Sequence, residues 1–482
     1  VRHADLQVRI HSKKSPTMPT EPKKRPNLDS VTTVNPDGSH YILHPADVSG
    51  RFTLARRLFA VLLLAVYVLV PWIQINGAPA VFFDIQQRQF HLLGLTLAPQ
   101  DLWVFFFALT GLGFSLFFLT ALLGRVWCGW ACPYTIFLEH IYRRIERFID
   151  GDSIKRRKLD AAKWGFSKTG KRLAKHSLFL LVSALLAHVF LSYFVSLERL
   201  YKFMNEGPTA HALAFGAICF LTCALYFCFA RFREQFCIMV CPYGRLQSAM
   251  TDDDTIIIGY DETRGEPRGK GELAGDCIAC NKCVAVCPTG IDIRNGLQLE
   301  CVGCANCIDA CDAVMDKIER PRGLIRYDSL NGLEGKKRRI LRPRVFLYAG
   351  LGLLGLTALL LTTATKARPY TVTSSRMAGP AFYVDGPIVR NHYQVHLLNK
   401  RNQPATFTLS LEGAPEGYDL SGAGQTFTIE AHAEVTRPAV ISAAAEAYTG
   451  PSEMTLRVDA DPGAVELKNK IRFVGPHPDS LK

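Results

Sequence analysis

Cysteine is missing from most of this chain. None occurs before Cys128 or after Cys311, so all fifteen crowd into the middle and the last 171 residues have none. That argues against a disulfide framework of the kind that staples secreted domains. Acidic residues are also scarce, 43 against 56 Lys and Arg, for a formal net charge of +13. A basic balance can signal nucleic acid, but no base-stacking or helix-turn-helix pattern accompanies it, and nucleic-acid binding is not expected. There is no apolar core near the start, so the opening stretch does not read as a signal peptide. Val1–Arg57 is polar and Pro-bearing, with Lys13-Lys14 and Lys23-Lys24-Arg25, and reads as a mostly disordered cytoplasmic tail.

The apolar residues are unevenly spread. They gather in five blocks, Leu58–Ile75, Leu102–Leu123, Leu178–Val195, Ala212–Ala230 and Val345–Thr363. Each is close to the roughly 20 residues that a helix needs to cross a bilayer. His188 makes the third the least apolar. Lys and Arg flank them asymmetrically. Arg51, Arg56 and Arg57 precede the first block, 125–175 is dense in basic residues, and Lys336-Lys337-Arg338-Arg339 precedes the fifth. The connections Asn76–Asp101 and Ser196–His211 hold few. A positive-inside bias then places the N-terminus, the 125–175 loop and 231–344 in the cytoplasm, and the C-terminal region in the periplasm. Beyond Thr365, short alternating runs such as Thr406-Phe-Thr-Leu-Ser-Leu and Met454-Thr-Leu-Arg-Val are separated by Gly, Pro and Asn. That spacing predicts an all-β, immunoglobulin-like sandwich without an inter-sheet disulfide.

Two runs carry the strongest chemistry. Cys277-x2-Cys280-x2-Cys283-x3-Cys287-Pro288 fits the two-cluster ferredoxin pattern, and Cys301-x2-Cys304-x2-Cys307-x3-Cys311 repeats it with Asp312 in place of proline. Three thiolates wrap one corner of a cubane and the fourth of each run serves the other cluster. The expected sets are Cys277, Cys280, Cys283 with Cys311, and Cys301, Cys304, Cys307 with Cys287. Zinc also uses Cys pairs, but does not ask for two copies of this four-residue spacing.

Cys128-Gly-Trp-Ala-Cys132-Pro133 closes the second apolar block and Cys237-Ile-Met-Val-Cys241-Pro242 follows the fourth. Both read C-x3-C-P at the same membrane edge. Cysteines at i and i+4 share a helix face, and a following proline suits the start of a new helix, whose dipole favours thiolate. Thiolates select Cu(I) among common ions. Buried free Cys is often only a small filler; the duplication favours a redox or metal role for Cys128, Cys132, Cys237 and Cys241. Cys219, Cys223 and Cys228 in the fourth block, and His188 and His211, are expected to serve packing, with Met239 a further copper candidate. Pro133–Phe148 has an apolar stripe with Arg143, Arg144 and Arg147, as in a helix lying on a membrane surface.

These stretches, with Tyr41-Ile-Leu-His-Pro, Glu234-Gln-Phe-Cys, Arg264-Gly-Glu-Pro-Arg-Gly, Arg322-Gly-Leu-Ile-Arg-Tyr and Phe382-Tyr-Val-Asp-Gly-Pro, resemble the CcoG/FixG/RdxA cytochrome c oxidase accessory proteins over nearly the whole chain. Tyr134, where the family often has Gln, and Gly244, where Ala is usual, depart from it. The resemblance implies an oxidoreductase of the bacterial inner membrane, a cupric reductase that passes Cu(I) toward a cbb-type oxidase. Its expected partners are the oxidase assembly machinery, copper chaperones or transporters, and lipid. Two other readings stay open: a quinol-linked electron conduit and a non-catalytic assembly platform. The expected fold is a bundle of five transmembrane helices with an inserted two-cluster ferredoxin domain and a C-terminal all-β domain. The expected boundaries are 1–57 tail, 58–231 four spans, 232–344 ferredoxin, 345–363 fifth span and 366–482 β domain.

Overall fold

The computed structural model describes residues 42–271, 273–298, 300–366, 369–421 and 426–477. Most of the tail expected over Val1–Arg57 lies outside them. Five long helices take the expected places: α1 (Arg51–Leu69), α2 (Leu102–Leu123), α3 (Phe166–Leu191), α4 (Ala212–Phe227) and α5 (Pro343–Lys366). All five are long and apolar enough to span a membrane, α1 and α4 together with the short helical turns that continue them to Trp72 and Phe232. Much of their apolar surface is exposed, for example at Leu58, Leu109, Leu213 and Leu353. Such surface requires a covering solvent of hydrocarbon.

The tail boundary needs correction. Residues 51–57 are the first two turns of α1, because Asp309 caps it. Its carboxylate accepts from Phe52 N at 3.2 Å, and from Thr53 N and Oγ1 at 2.7 Å each. Those first-turn amides have no partner within the helix.

The chain divides into two compact units. One gathers the described residues up to Val61, Leu119–Leu181 and Ala224–Leu341; the other gathers Leu62–Phe118, Val182–Cys223 and the described residues from Arg342 onward. In the first, Pro133–Asp150 is a continuous run of helical turns, but not one with a freely displayed basic face. Tyr142 is 1 % exposed, and Arg143, Glu146 and Asp150 are buried. Arg143 pairs with Glu234 at 3.0 Å, Arg233 with Glu146 at 2.6 Å and Lys175 with Asp150 at 2.7 Å. An amphipathic pattern states that two faces differ, not what covers each; here protein carboxylates cover much of the basic one. The ferredoxin part closes with an antiparallel pair, Ile257–Tyr260 against Ile325–Asp328.

In the second unit α2 and α5 meet at glycines. A Cβ on Gly355 would lie 2.7 Å from Gly111 Cα, so only glycine permits this approach. The connection after α1 folds into short hairpins over 74–97. The C-terminal domain is a β-sandwich. One sheet has the order Tyr418–Ser421, Glu434–Ala444, Ile388–Asn399, Tyr370–Arg376, with Tyr383–Asp385 also on Ile388–Asn399; the other runs Phe427–Ile429, Ala405–Glu412, Ser452–Asp461, Val465–Phe473. Alternate residues such as Val395, Leu397, Phe407, Leu456 and Val458 fill its core.

Candidate functional site

The two four-cysteine runs adopt one backbone twice. Ala279 and Asn281 have φ of +54° and +57°; Gly303 and Ala305, two and four residues after Cys301 as those are after Cys277, have +69° and +61°. Left-handed residues turn the chain sharply around whatever the cysteines hold, and three of these four are not glycine, a strain that marks a functional loop. Each loop then enters a helix at the same offset, Lys282–Ala285 and Asn306–Lys317.

The cysteines wall two apolar cavities in the crossed sets. Cys277, Cys280, Cys283 and Cys311 line one, with Tyr260, Met315 and Leu324 among its walls. Cys287, Cys301, Cys304 and Cys307 line the other, with Ile258, Ile291 and Ile293; Cys283 reaches this second cavity too. Soft sulfur donors without a carboxylate wall fit an iron–sulfur cluster. Burial is the main cause pushing thiols up, Cys283 and Cys304 to about 11 and Cys301 and Cys311 to about 12. Loading therefore releases protons.

The surroundings of the two loops differ. Cys280, Asn281 and Lys282 are exposed, whereas Val302, Gly303, Cys304 and Ala305 are buried. What buries the second loop is the Cys128–Cys132 turn. A Cβ on Gly129 would stand 2.6 Å from Val302 O and 2.9 Å from Cys304 N and Cα. Arg56 ties the two together, donating from Nε to Gly129 O at 3.1 Å and from Nη1 to Cys304 O at 3.0 Å. Trp130 Nε1 donates to Tyr327 Oη at 3.1 Å, which donates to Gly303 O at 2.6 Å. Arg56 had been legible only as a basic flank of the first span. Arg143 extends the same support to the other ligand run, donating to Pro288 O at 3.1 Å.

The C-x3-C-P pairs do not share helix faces as i, i+4 partners. Cys128 lies in Val126–Trp130 and Cys132 in extended conformation ahead of Pro133; Cys237 lies in Phe236–Val240 and Cys241 ahead of Pro242. Each proline ends one helix and starts the next, so each pair straddles a break. The pairs do come together. Burial, then Cys132 and Cys241, push the Cys128 thiol up to about 12, against the opposing charge of Arg125; burial, then Cys132, Cys128 and Cys241, do the same for Cys237. The Cys128 thiol donates to Gln247 Oε1 at 3.1 Å. Among the described residues, no three His, Cys, Asp or Glu converge as ligands of a single ion. The four thiols are neighbours without being a closed site.

Next to them Arg233 has φ of +51°, held by its bidentate bond to Glu146 and by Tyr134 Oη, which donates to Arg233 O at 2.6 Å. Tyr134 stacks on Phe236 at 4.5 Å between ring centroids. Cys219 and Cys223, expected to pack among helices, are exposed instead, as is Met239. His188 Nδ1 bonds Ala184 O at 2.7 Å and His211 pairs with Glu206, as packing roles require.

A family model for a 4Fe-4S dicluster domain matches residues 232–274 and 268–330, one for a 4Fe-4S binding domain matches 102–151, and one for the IG-like fold at the C-terminus of FixG matches 360–476. The chain is 34 % identical over 424 residues to nitrogen fixation protein FixG of Rhizobium meliloti, covering 77 % of this chain and 79 % of that one. It is 38 % identical over 395 residues to protein RdxA of Cereibacter sphaeroides, covering 77 % and 82 %. Protein RdxB of the same organism is 37 % identical over 422 residues, covering 80 % and 87 %.

Proposed function

This chain belongs to the FixG/RdxA family of 4Fe–4S proteins, and we propose that it reduces Cu(II) to Cu(I) for the copper centre of a cbb-type cytochrome c oxidase. In this reading Cys277, Cys280, Cys283 and Cys311 hold one cluster, and Cys287, Cys301, Cys304 and Cys307 the other. Each cluster, when bound, is a one-electron centre. The exposed Cys280 loop is the face for a soluble donor. The buried Cys304 loop is the face toward the paired thiols.

The observation that carries the reading is the backbone contact of Gly129 with Val302 and Cys304, bridged by Arg56. It sets the Cys128–Cys132 turn directly on a cluster-binding loop. Cu(II) is the substrate there: it gains one electron, and Cys128, Cys132, Cys237 and Cys241 stabilise the soft Cu(I) product. Their raised thiol values keep Cys128 and Cys237 protonated at neutral pH, so these two lose a proton only when a thiophilic ion takes its place. The basic flanks put the first unit in the cytoplasm of a bacterial inner membrane and the β-sandwich in the periplasm, facing oxidase or copper-handling partners. That the 125–175 and 336–339 basic segments fall in one unit supports this sidedness.

The test is anaerobic Cu(II) reduction by the reduced protein, read as Cu(I)-chelate absorbance. Replacing Cys128 and Cys132, or Cys237 and Cys241, with Ser is expected to cut the rate at least about ten-fold while iron stays near about eight atoms per chain; Cys219→Ser with Cys223→Ser is expected to change little. Unchanged reduction in the first two sinks the copper assignment. The 4Fe-4S family model over 102–151 contains Cys128 and Cys132 and favours one second reading, a further cluster on the four edge thiols. That reading requires about twelve iron atoms, and a loss of iron in those same variants.

A further inference from the structure

The first unit carries a cleft that opens to solvent, with a cavity volume of about 70 Å³. Six guanidinium groups line it, those of Arg56, Arg57, Arg143, Arg144, Arg147 and Arg156, against only two carboxylates, Asp47 and Glu139. Both carboxylates are already committed, Glu139 to Arg143 and Asp47 to Arg147 at 2.9 Å. His140 also lines the cleft; burial, and then the field of Arg56, push it down to about 4, so it is neutral at pH 7. Burial and the neighbouring Arg57 and Arg147 push the Arg144 guanidinium below its ordinary value.

A second observation is independent of that count. The Nε atoms of Arg57, Arg143 and Arg156 are buried without a hydrogen-bond partner; Arg143 and Arg156, only 7 % and 4 % exposed, are ion-paired through their terminal nitrogens, to Glu234 at 3.0 Å and Glu146 at 3.6 Å, and keep this one N–H unmatched. A buried N–H left without a partner costs about 1–3 kcal/mol, and like charges at this spacing add to it. Such an arrangement is stable when an anion completes it. Planar guanidinium forks match the oxygens of phosphate in particular.

We propose that this cleft is a binding site for a phosphate-bearing anion, supplied by the headgroup of an acidic phospholipid or by a free phosphate. Its surroundings favour the lipid. Arg56 and Arg57 lie between Leu54 and Leu58 in the exposed apolar surface of α1, which continues at Val61 and Leu62. Phe148, next to Arg147, is 88 % exposed. Basic pockets beside the ends of membrane helices hold acidic headgroups while adjacent apolar side chains meet the acyl chains. The cleft also adjoins the supports of the cluster loops, since Arg56 donates to Cys304 O and Arg143 to Pro288 O. An anion there would hold those two arginines in place.

The experiment uses the full-length, iron-loaded protein in detergent. The probes are short-chain phosphatidylglycerol, phosphatidylcholine of equal chain length, and inorganic phosphate. Phosphatidylglycerol is expected to bind about ten-fold more tightly than phosphatidylcholine, and phosphate to compete with it. The double variant Arg57→Gln, Arg144→Gln is expected to lose about ten-fold in affinity with its iron retained. Phosphate binding that the double variant loses, with no preference between the lipids, supports the site and assigns free phosphate as its source. The proposal is overturned if wild type binds neither phosphatidylglycerol above phosphatidylcholine nor phosphate, or if the double variant keeps its iron and binds as tightly as the parent. Should that variant lose its iron, Arg147→Gln is read in the same assay, where unchanged affinity overturns the proposal.

Discussion

The two ferredoxin loops share spacing, left-handed turns and helix entry, yet one faces solvent and the other lies under the Cys128–Cys132 turn. Identical local codes thus end in different environments. The lesson is that spacing specifies what a loop holds, while packing specifies what the held group can reach. For a carrier of electrons the second property decides direction, because a buried loop meets only its packed neighbours.

The comparison breaks most visibly at the cysteines. Cys304→Ser is expected to remove about half the iron or more, because a hydroxyl in a fully packed site is a poor ligand and a buried polar group. Cys280→Ser, at the exposed loop, is expected to remove less, with water able to complete the iron coordination. Iron content and absorbance bleaching on reduction measure both. Equal loss from the two variants would mean that burial does not distinguish the loops.

A gentler probe alters only what covers the second loop. Gly129→Ala is expected to cost about 1–3 kcal/mol by overpacking, since its Cβ would meet the Val302 carbonyl and the Cys304 backbone. Cu(II) reduction should fall several-fold with iron retained, and the spectroscopic change should be confined to the cluster on Cys301, Cys304 and Cys307. Gly170→Ala, in open space on α3, is the control, expected to stabilise by up to about 1 kcal/mol. A spectrum altered equally at both clusters would separate the turn from the second loop.

The smallest effect concerns acid. Burial by itself would raise the Glu146 carboxyl, but Arg233 and then Lys175 and Arg143 bring it down to about 2. A depressed carboxyl contributes stability that is fully present above its unfolded value of about 4.3 and is lost as pH falls toward about 2. Arg233→Met removes the main partner, so burial then dominates and raises the carboxyl above its unfolded value; stability is expected to fall as pH rises from about 4.3 toward neutral, and to be regained on acidification, the reverse of the parent's dependence. The measurement is the thermal midpoint from pH 3 to 7. A variant whose profile only shifts downward, unchanged in shape, would contradict the pairing.

The spans were legible because a bilayer imposes a length of apolar residues that a single window can hold, and the observed helices begin or end within a few residues of those windows except where α1 and α3 extend back into basic sequence. The central strand Glu434–Ala444 was not legible, because Pro438 interrupts an otherwise alternating run, yet it pairs with eleven residues of Ile388–Leu398. The charged partners of the polar face of Pro133–Phe148 were not legible for a related reason. Periodicity marks a polar face, while the partners Glu234 and Arg233 lie about ninety residues further on.

By itself, the sequence determined the identities and spacing of the eight cysteines in the two four-cysteine runs, the doubled C-x3-C-P signal, the five apolar blocks and the alternating β segment, all of which are written within a few turns of chain. Only the tertiary structure decided that Arg56 joins Gly129 to Cys304, residues 73 and 248 positions away from it, and that six arginines from separate segments surround one cleft. Those arrangements rest on contacts between distant segments, whose geometry follows from how helices dock and from which buried charges find partners; no local period in the chain carries that information.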